Sequence, residues 1–332
     1  MNQFKAYRIH QQDDGVRADF EMLTIDQLTA GDVTVQVAYS GINYKDALAV
    51  SGRGKILRHY PLNGGIDMSG VVVESDNAQF KVGDRVMACG VGLSEFYDGG
   101  FAEFTRLPAT QLTPVPDGLS LRDVMAIGTA GFTAALALER ITANGQTTDN
   151  GPMLVTGATG GVGSFALSLL SAEGYQTVAL TGKPDEAEYL TSIGANTIMD
   201  RREINDGKRP LEKALWGGAI DNLGGETLAW LSRTVKPWGN IACIGLAQGT
   251  ELNTTVMPLI LRGVSLVGVN VMELPSWLAD QSWGRLASRL NREHLAIIAP
   301  REIAFDDLPG AFDAYIKGSN TRRAVVVINA DL

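Results

Sequence analysis

Cysteine is nearly missing from this sequence. Only Cys89 and Cys243 occur, which excludes a disulfide framework, and without any C-x-x-C pair there is no zinc knuckle. Histidine is as sparse: His10, His59 and His294 stand far apart and show no ligand spacing. Positive charge is in deficit, with 28 Lys and Arg against 37 Asp and Glu and a net charge of −9. That is the wrong sign for a protein that neutralises phosphate backbones, so nucleic acid is not an expected partner and any bound anion must be met by local donors. The opening MNQFKAYRIHQQDDG has no apolar run behind its early charges and does not read as a secretory signal. The longest uncharged stretch, residues 151–172, could span a bilayer by length. Its Gly, Ser and Thr cluster and its turn signature make it instead a buried strand, turn and helix. No other stretch approaches membrane length, and a reducing, cytoplasmic setting is expected.

What is present is apolar and glycine-rich. Hydrophobic residues make up 45% of 332 positions and charged ones 20%, enough for a packed core, and disorder, collagen and coiled coil are excluded. At about 150 residues per domain the length favours two domains. In the first third, Val33, Val35 and Val37 alternate with Thr34, Gln36 and Ala38, the period of a half-buried strand. Residues 68–73 give a second strand and KVGDRVMA a turn at Gly83-Asp84 and a third, together suggesting a small β-barrel. Past Pro108, Pro114 and Pro116 the spacing turns helical over 121–140, broken at Gly128 and Gly131. From Gly151 strand and helix alternate, the pattern of a parallel sheet covered by helices. The closing strand RAVVVI returns to the first domain. The expected organisation is therefore a β-barrel domain, 1–124 with 296–332, and a doubly wound parallel-sheet domain, 125–295.

The segment LVTGATGGVGSFALSLL places Gly157, Gly160 and Gly163 between a predicted strand and a predicted helix. One glycine permits the tight turn, one the approach of a pyrophosphate to main-chain N–H groups, and one the close packing of helix on strand, with the anion on the helix N-terminus. A strand-to-helix connection without ligand is the other reading. An NAD enzyme offers a carboxylate at the tip of the second strand, whereas here that strand runs into Thr181-Gly182-Lys183, and Arg201-Arg202 follow the third. A hydroxyl, an ammonium and a planar guanidinium suit a 2′-phosphate, so NADPH is the expected cofactor; solvated loop positions remain the alternative for these side chains.

These residues resemble the medium-chain dehydrogenase/reductase superfamily in its zinc-free quinone oxidoreductase branch, through VTVQVAYSGINYKDAL, GGIDMSGVVVE, KVGDRV, IGTAGFTAALAL, VTGATGGVG, AIDNLGG and RRAVVVI. NYKDAL, GTAGFTA and TTVMPLILRGVSLVGVN look most like its acryloyl-CoA reductase group. The resemblance implies a GroES-like β-barrel and a Rossmann domain. Zinc-dependent relatives carry a cysteine where Asn43 stands and a His-Glu pair where Ile66-Asp67 stands, so metal catalysis is not expected. Cofactor contacts are implied at Tyr44, at Thr159, Gly160, Gly161 and Val162 for the pyrophosphate, and at Thr181, Gly182, Lys183 and Arg201 for the 2′-phosphate. Leu246, Ile260, Asn270 and Val271 are implied about the nicotinamide, and Arg323 as a further site residue or an edge-strand charge. Tyr44 is the first candidate for proton donation or positioning, with a wall residue beside the nicotinamide as the alternative. Asp46 is an orienting residue and Lys45 a weaker candidate in the same catalytic group. The implied activity is NADPH-dependent reduction of acryloyl-CoA or a short enoyl thioester; the competing readings are a quinone or enone reductase and a cofactor-binding protein without turnover. Arg53, Lys55 and Arg58 offer a basic rim for CoA or a solvated loop. The apolar strand 265–271 is expected at a sheet edge, where pairing would make a homodimer.

Overall fold

The computed structural model describes residues 3–204, 207 and 209–332. The chain divides into two compact units, Met1–Thr129 with Ala299–Leu332, and Ala130–Ile298. In chain order the strands and helices of the first are β1 (Phe4–Gln12), β2 (Gly15–Leu23), β3 (Val33–Gly41), α1 (Tyr44–Ser51), β4 (Leu62–Asn63), β5 (Asp67–Ser75), β6 (Arg85–Cys89), β7 (Phe104–Leu107) and β8 (Thr113–Pro114). Helix α2 (Leu121–Ala143) follows. The second unit continues with β9 (Met153–Thr156), α3 (Gly161–Ala172), β10 (Thr177–Thr181), α4 (Ala187–Ser192), β11 (Thr197–Asp200), β12 (Gly218–Asp221), α5 (Gly225–Thr234), β13 (Asn240–Cys243), α6 (Met257–Arg262), β14 (Ser265–Gly268), α7 (Ser276–Arg289) and α8 (Arg292–Ile298). The chain closes with β15 (Arg301–Ala304), α9 (Leu308–Ile316) and β16 (Ala324–Val327).

The first unit holds a β15-β16-β3-β5-β6-β8 sheet, with β7 also on β3, and a smaller β2-β1-β4 sheet. Strand β3 is the hinge of the larger one. The predicted alternation made it half-buried, but Thr34 and Ala38 are buried along with Val33, Val35 and Val37, so both faces of β3 are covered, and its neighbours β5, β7 and β16 make it central rather than peripheral. The last strand does return: Val325 pairs with Gly41 and Val327 with Tyr39, which sets Arg323 beside the chain leaving β3. The hairpin β1–β2 turns at Asp13-Asp14 and Gly15, the last at φ +145°.

Helix α2 corrects the expectation that no stretch besides 151–172 approaches membrane length. At 23 residues it is long and apolar enough to cross a bilayer, yet 83% of its most apolar window is buried inside the protein, so it is a core helix. Its regular backbone breaks at Gly128 (φ 51°, ψ −164°) but not at Gly131.

The second unit is a six-stranded parallel sheet in the order β11-β10-β9-β12-β13-β14, the doubly wound arrangement with its topological switch between β9 and β12. Buried Leu154, Leu180, Ala219, Trp230, Leu231 and Ile241 lie in its core. Strand β14 is at the sheet edge as its sequence position suggested, but it ends at Gly268, leaving Asn270 and Val271 in the loop beyond it.

Candidate active site and cofactor cradle

In the first unit the segment after β3 is the start of a helix, α1, with Asn43 at its N-cap. Asn43 has extended backbone (φ −127°, ψ 162°), and the Asp46 carboxylate reaches back to accept its N–H at 2.7 Å in the manner of a capping box. The other Asp46 oxygen accepts from Ile66 N–H at 2.9 Å. Asp46 is buried, and that burial, with the Asp67 charge adding to it, pushes its pKa up to about 7. Tyr44, the first residue of α1, is 54% exposed, so its phenol is presented outward. Lys45 is ion-paired with the buried Glu95 carboxylate, and burial holds its ammonium below the usual lysine range.

Beneath this helix start lies a closed polar cluster. Asp67 accepts from Asn43 Nδ2 at 2.8 Å, from Thr129 N–H at 3.0 Å and from Thr129 Oγ1 at 2.5 Å. The Arg323 Nη2 is 3.7 Å from its carboxylate. Arg323 also donates to Asn43 Oδ1 at 3.0 Å and to the Ala126 carbonyl at 2.8 Å. At 4% exposure Arg323 is not the edge-strand charge offered as its alternative: its guanidinium bonds across the interior of the unit and positions α1. Two glycines make room for the pair. A Cβ on Gly41 would lie 2.7 Å from Asp67 Oδ2, and one on Gly128 would lie 2.4 Å from that atom and 2.5 Å from Arg323 Nη2. The kink in α2 is thus built around the Arg323–Asp67 pair. The buried Cys89 thiol sits against Asp67, and burial pushes its pKa well up, which makes it inert rather than nucleophilic.

In the second unit the three glycines of the 157–163 loop divide their work. Gly157 takes φ +57° for the turn, and a Cβ on Gly163 would be 2.5 Å from the Gly157 carbonyl oxygen and 2.8 Å from Ala158 Cα, so helix α3 crosses the strand end too closely for a side chain there. Thr159 is buried, whereas Gly160 is exposed and Gly161 and Val162 are half-buried, which leaves the lip of the loop open at the N-terminus of α3, where helical N–H groups lack acceptors. Tyr189 Oη donates to Ser164 Oγ at 2.8 Å, which donates to the Gly160 carbonyl at 2.8 Å and holds the loop from below.

At the tip of β10, Thr181 is buried and accepts the Lys183 N–H on Oγ1 at 3.0 Å. Burial also depresses the Lys183 ammonium. A Cβ on Gly182 would meet Arg201 Nε at 2.8 Å, so Gly182 and Arg201 are brought together as the sequence suggested. Arg202 is not part of this group. It is ion-paired with Asp200 at 2.5 Å, the residue level with Thr181 on β11. An acid therefore does stand at a neighbouring strand end, its pKa lowered to about 2 by that pairing, and it is neutralised by Arg202. Leu246 and Ile260 are 65% and 73% exposed, Asn270 is exposed and Val271 half-buried. Asn270 lies on a cleft of about 450 Å³ with Cys243, Gly268 and Pro275; Leu246 and Ile260 do not line it.

One residue at the switch point escaped the sequence reading. Asn222 donates N–H to Thr156 Oγ1 and Nδ2 to the Thr156 carbonyl, both at 2.8 Å, which fixes the amide orientation. Its Oδ1 is buried without a partner, and its Cβ is within 3.5 Å of where a Gly157 side chain would begin. An orphaned acceptor beside a glycine loop, at the carboxyl ends of β9 and β12, suits a ligand hydroxyl. Together the open loop lip, the Thr181, Lys183 and Arg201 donors and this acceptor fit a phosphorylated dinucleotide.

The family model for the alcohol dehydrogenase GroES-like domain matches residues 29–117, and that for zinc-binding dehydrogenase matches 161–288. The acrylyl-CoA reductase AcuI of Ruegeria pomeroyi is 42% identical over 95% of this chain and 95% of its own. The chain belongs to the zinc-free quinone oxidoreductase branch of the medium-chain dehydrogenase/reductase superfamily. Within this branch, Bacillus subtilis YhfP, whose name assigns it provisionally to the quinone oxidoreductases, is 40% identical over 97% of this chain and 98% of its own. Its crystal structure with NAD bound superposes at a TM-score of 0.95. The yhdH oxidoreductase of Salmonella enterica in complex with NADP is 43% identical, covers 98% of this chain and 100% of its own, and superposes at 0.95. Despite the zinc in one family model's description, no group of three His, Cys, Asp or Glu residues comes together among the described residues.

Proposed function

We propose that the protein reduces the activated C=C bond of acryloyl-CoA, or a similarly short enoyl thioester, to the saturated thioester with NADPH and without zinc. The observation that carries this reading is full-length likeness at 42% identity to an acrylyl-CoA reductase, joined to donors at the tips of β10 and β11 that suit a 2′-phosphate. Bound NADPH supplies the hydride delivered to the β-carbon. Thr159, Gly160, Gly161 and Val162 hold its pyrophosphate, and Thr181, Gly182, Lys183 and Arg201 its 2′-phosphate. Asn270 and Val271 would lie beside the nicotinamide, Asn222 would offer an acceptor to a ribose hydroxyl, and Arg323 acts through Asn43. Tyr44 is the proton donor or orienting group of this reading: its phenol donates a hydrogen bond or proton as charge develops on the thioester enolate. Asp46 fixes the helix turn that carries Tyr44.

A quinone or enone as acceptor is the second reading, favoured by the name of the 40% identical YhfP. The test is a comparison of kcat/KM with NADPH for acryloyl-CoA and a simple benzoquinone. A higher value for the thioester is expected; a much higher value for the quinone overturns the thioester assignment. The edge strand β14 and the exposed Trp238, Val256 and Leu261 near it in the chain support a homodimer through that edge, and the two unpaired cysteines suit a cytoplasmic enzyme.

A further inference from the structure

We propose that the loop 52–59 with Phe96 docks the nucleotide end of the thioester substrate, an adenosine 3′,5′-bisphosphate group, using Arg53, Lys55 and Arg58 as phosphate donors. This rests on the enoyl-thioester reading above and extends it to the substrate's non-reacting end.

The loop is a built surface. It leaves α1 through Gly52 at φ +67°. Leu57 is buried with Ile9, Ala49 and Leu62. Arg58 N–H donates to the Glu95 carbonyl at 2.9 Å, and the His59 Nε2 is 3.0 Å from the Phe96 carbonyl. With its backbone anchored at these points, the side chains of Arg53, Lys55 and Arg58 are exposed.

Their charge is uncompensated. Some other surface cations find acids: Arg17 pairs with Asp19, Lys317 with Asp313 and Arg202 with Asp200. Among the described residues, Arg53, Lys55 and Arg58 form no ion pair. The acid beside them, Glu95, is buried and already engaged by Lys45. A chain of net charge −9 thus concentrates three unneutralised cations within six residues.

The third feature is aromatic. Phe96 is 48% exposed, and the Arg58 guanidinium lies 5.9 Å from its ring centroid. A ring at the surface with a guanidinium held against it provides stacking for a purine beside charge for its phosphates. Planar guanidinium groups suit phosphate oxygens better than lysines alone. The patch adjoins the catalytic helix start, since the Arg58 charge is felt at Lys45, next to Tyr44. A quinone has no group for this patch to recognise, so the patch is where selectivity for a CoA thioester would arise.

The experiment compares acryloyl-CoA with acryloyl-N-acetylcysteamine, which keeps the reacting thioester and lacks the nucleotide. Both are assayed at saturating NADPH, with the unmodified protein and with an Arg53→Ser, Lys55→Ser, Arg58→Ser variant. Exposed side chains of this kind are replaced with little effect on folding. The expected result is a loss of about ten- to a hundredfold in kcat/KM for acryloyl-CoA, entering through KM, with the truncated thioester unchanged. Adenosine 3′,5′-bisphosphate should compete with acryloyl-CoA in the unmodified protein and lose that effect in the variant. Equal kcat/KM for the two thioesters in the unmodified protein, or a variant that keeps its preference for CoA, overturns the docking site alone. Reduction of neither thioester by the unmodified protein overturns the thioester reading itself, and the docking site with it.

Discussion

Replacing Asp46 with Asn should change how stability depends on pH. The carboxyl is buried, and its pKa is pushed up to about 7 by desolvation first and the Asp67 charge second, against about 3.9 in an unfolded chain. A folded-state pKa above the unfolded value means that the native protein binds the extra proton between these limits, so stability falls with rising pH. The contribution is fully present below about pH 4, declines through the interval and is gone above about pH 7. Three pKa units at 1.36 kcal/mol each give a decline of about 4 kcal/mol. Asn cannot titrate, so the Asp46→Asn variant lacks this decline.

Asn also carries a cost that does not depend on pH. Asp46 accepts from Asn43 N–H and Ile66 N–H with separate oxygens. An amide has one oxygen, so one N–H faces an NH₂ group, a loss of about 1–3 kcal/mol. The variant should therefore be less stable than the parent near pH 4.5 and equal to it or more stable near pH 8. Urea unfolding at half-unit steps between those limits, read as the difference between the two proteins, cancels the titrating groups that do not interact with Asp46. A difference that stays constant within about 0.5 kcal/mol across the range would mean that Asp46 is ionised throughout and that its two N–H donors outweigh its burial.

Two further outcomes test the chemistry. Lys183→Glu sets an acid at the strand tip where an ammonium now stands, and NADPH affinity should fall about ten- to a hundredfold with NADH little changed; equal affinities of the unmodified protein for the two cofactors, read by fluorescence titration, would refute the assignment of the β10 tip to a 2′-phosphate. Tyr44→Phe removes a hydroxyl from a half-exposed ring, so stability should move by less than about 0.5 kcal/mol while turnover of acryloyl-CoA falls about a hundredfold; retention of most activity would make Tyr44 a wall residue.

What could be read from the sequence follows the range of the interactions involved. The glycine loop was legible because its turn, its open lip and its helix contact are all fixed within seven residues. The meeting of Arg201 with Gly182 was legible because parallel strand ends stand side by side. The start of α1 carries a local sign as well, Asn43 followed three positions later by Asp46, the spacing of a capping box. The hairpin β1–β2 was also readable, since Val16, Ala18, Phe20 and Met22 alternate with Arg17, Asp19 and Glu21. Asn222 carried no such sign: its importance lies in an unpaired oxygen held in place by Thr156, 66 residues away. The Arg323–Asn43 bond joins positions 280 residues apart, and only the return of β16 to β3 brings them together.

That return explains how Asn43 and Asp67 coexist in a buried cluster at positions where zinc-dependent relatives carry a cysteine and the glutamate of a His-Glu pair. A fully buried carboxylate needs a compensating charge or donors. Thr129 supplies two donors and Asn43 a third, and Arg323 supplies the cation. Because Asn43 accepts from Arg323 with one amide atom and donates to Asp67 with the other, the same side chain that opens α1 also closes the charge pair. Glycine at 41 and 128 keeps the space around that pair clear. Charge compensation, the kink in α2 and the aim of Tyr44 are therefore one arrangement, and a change at Arg323 that left Asp67 unpaired would be felt first at the helix start that presents the phenol.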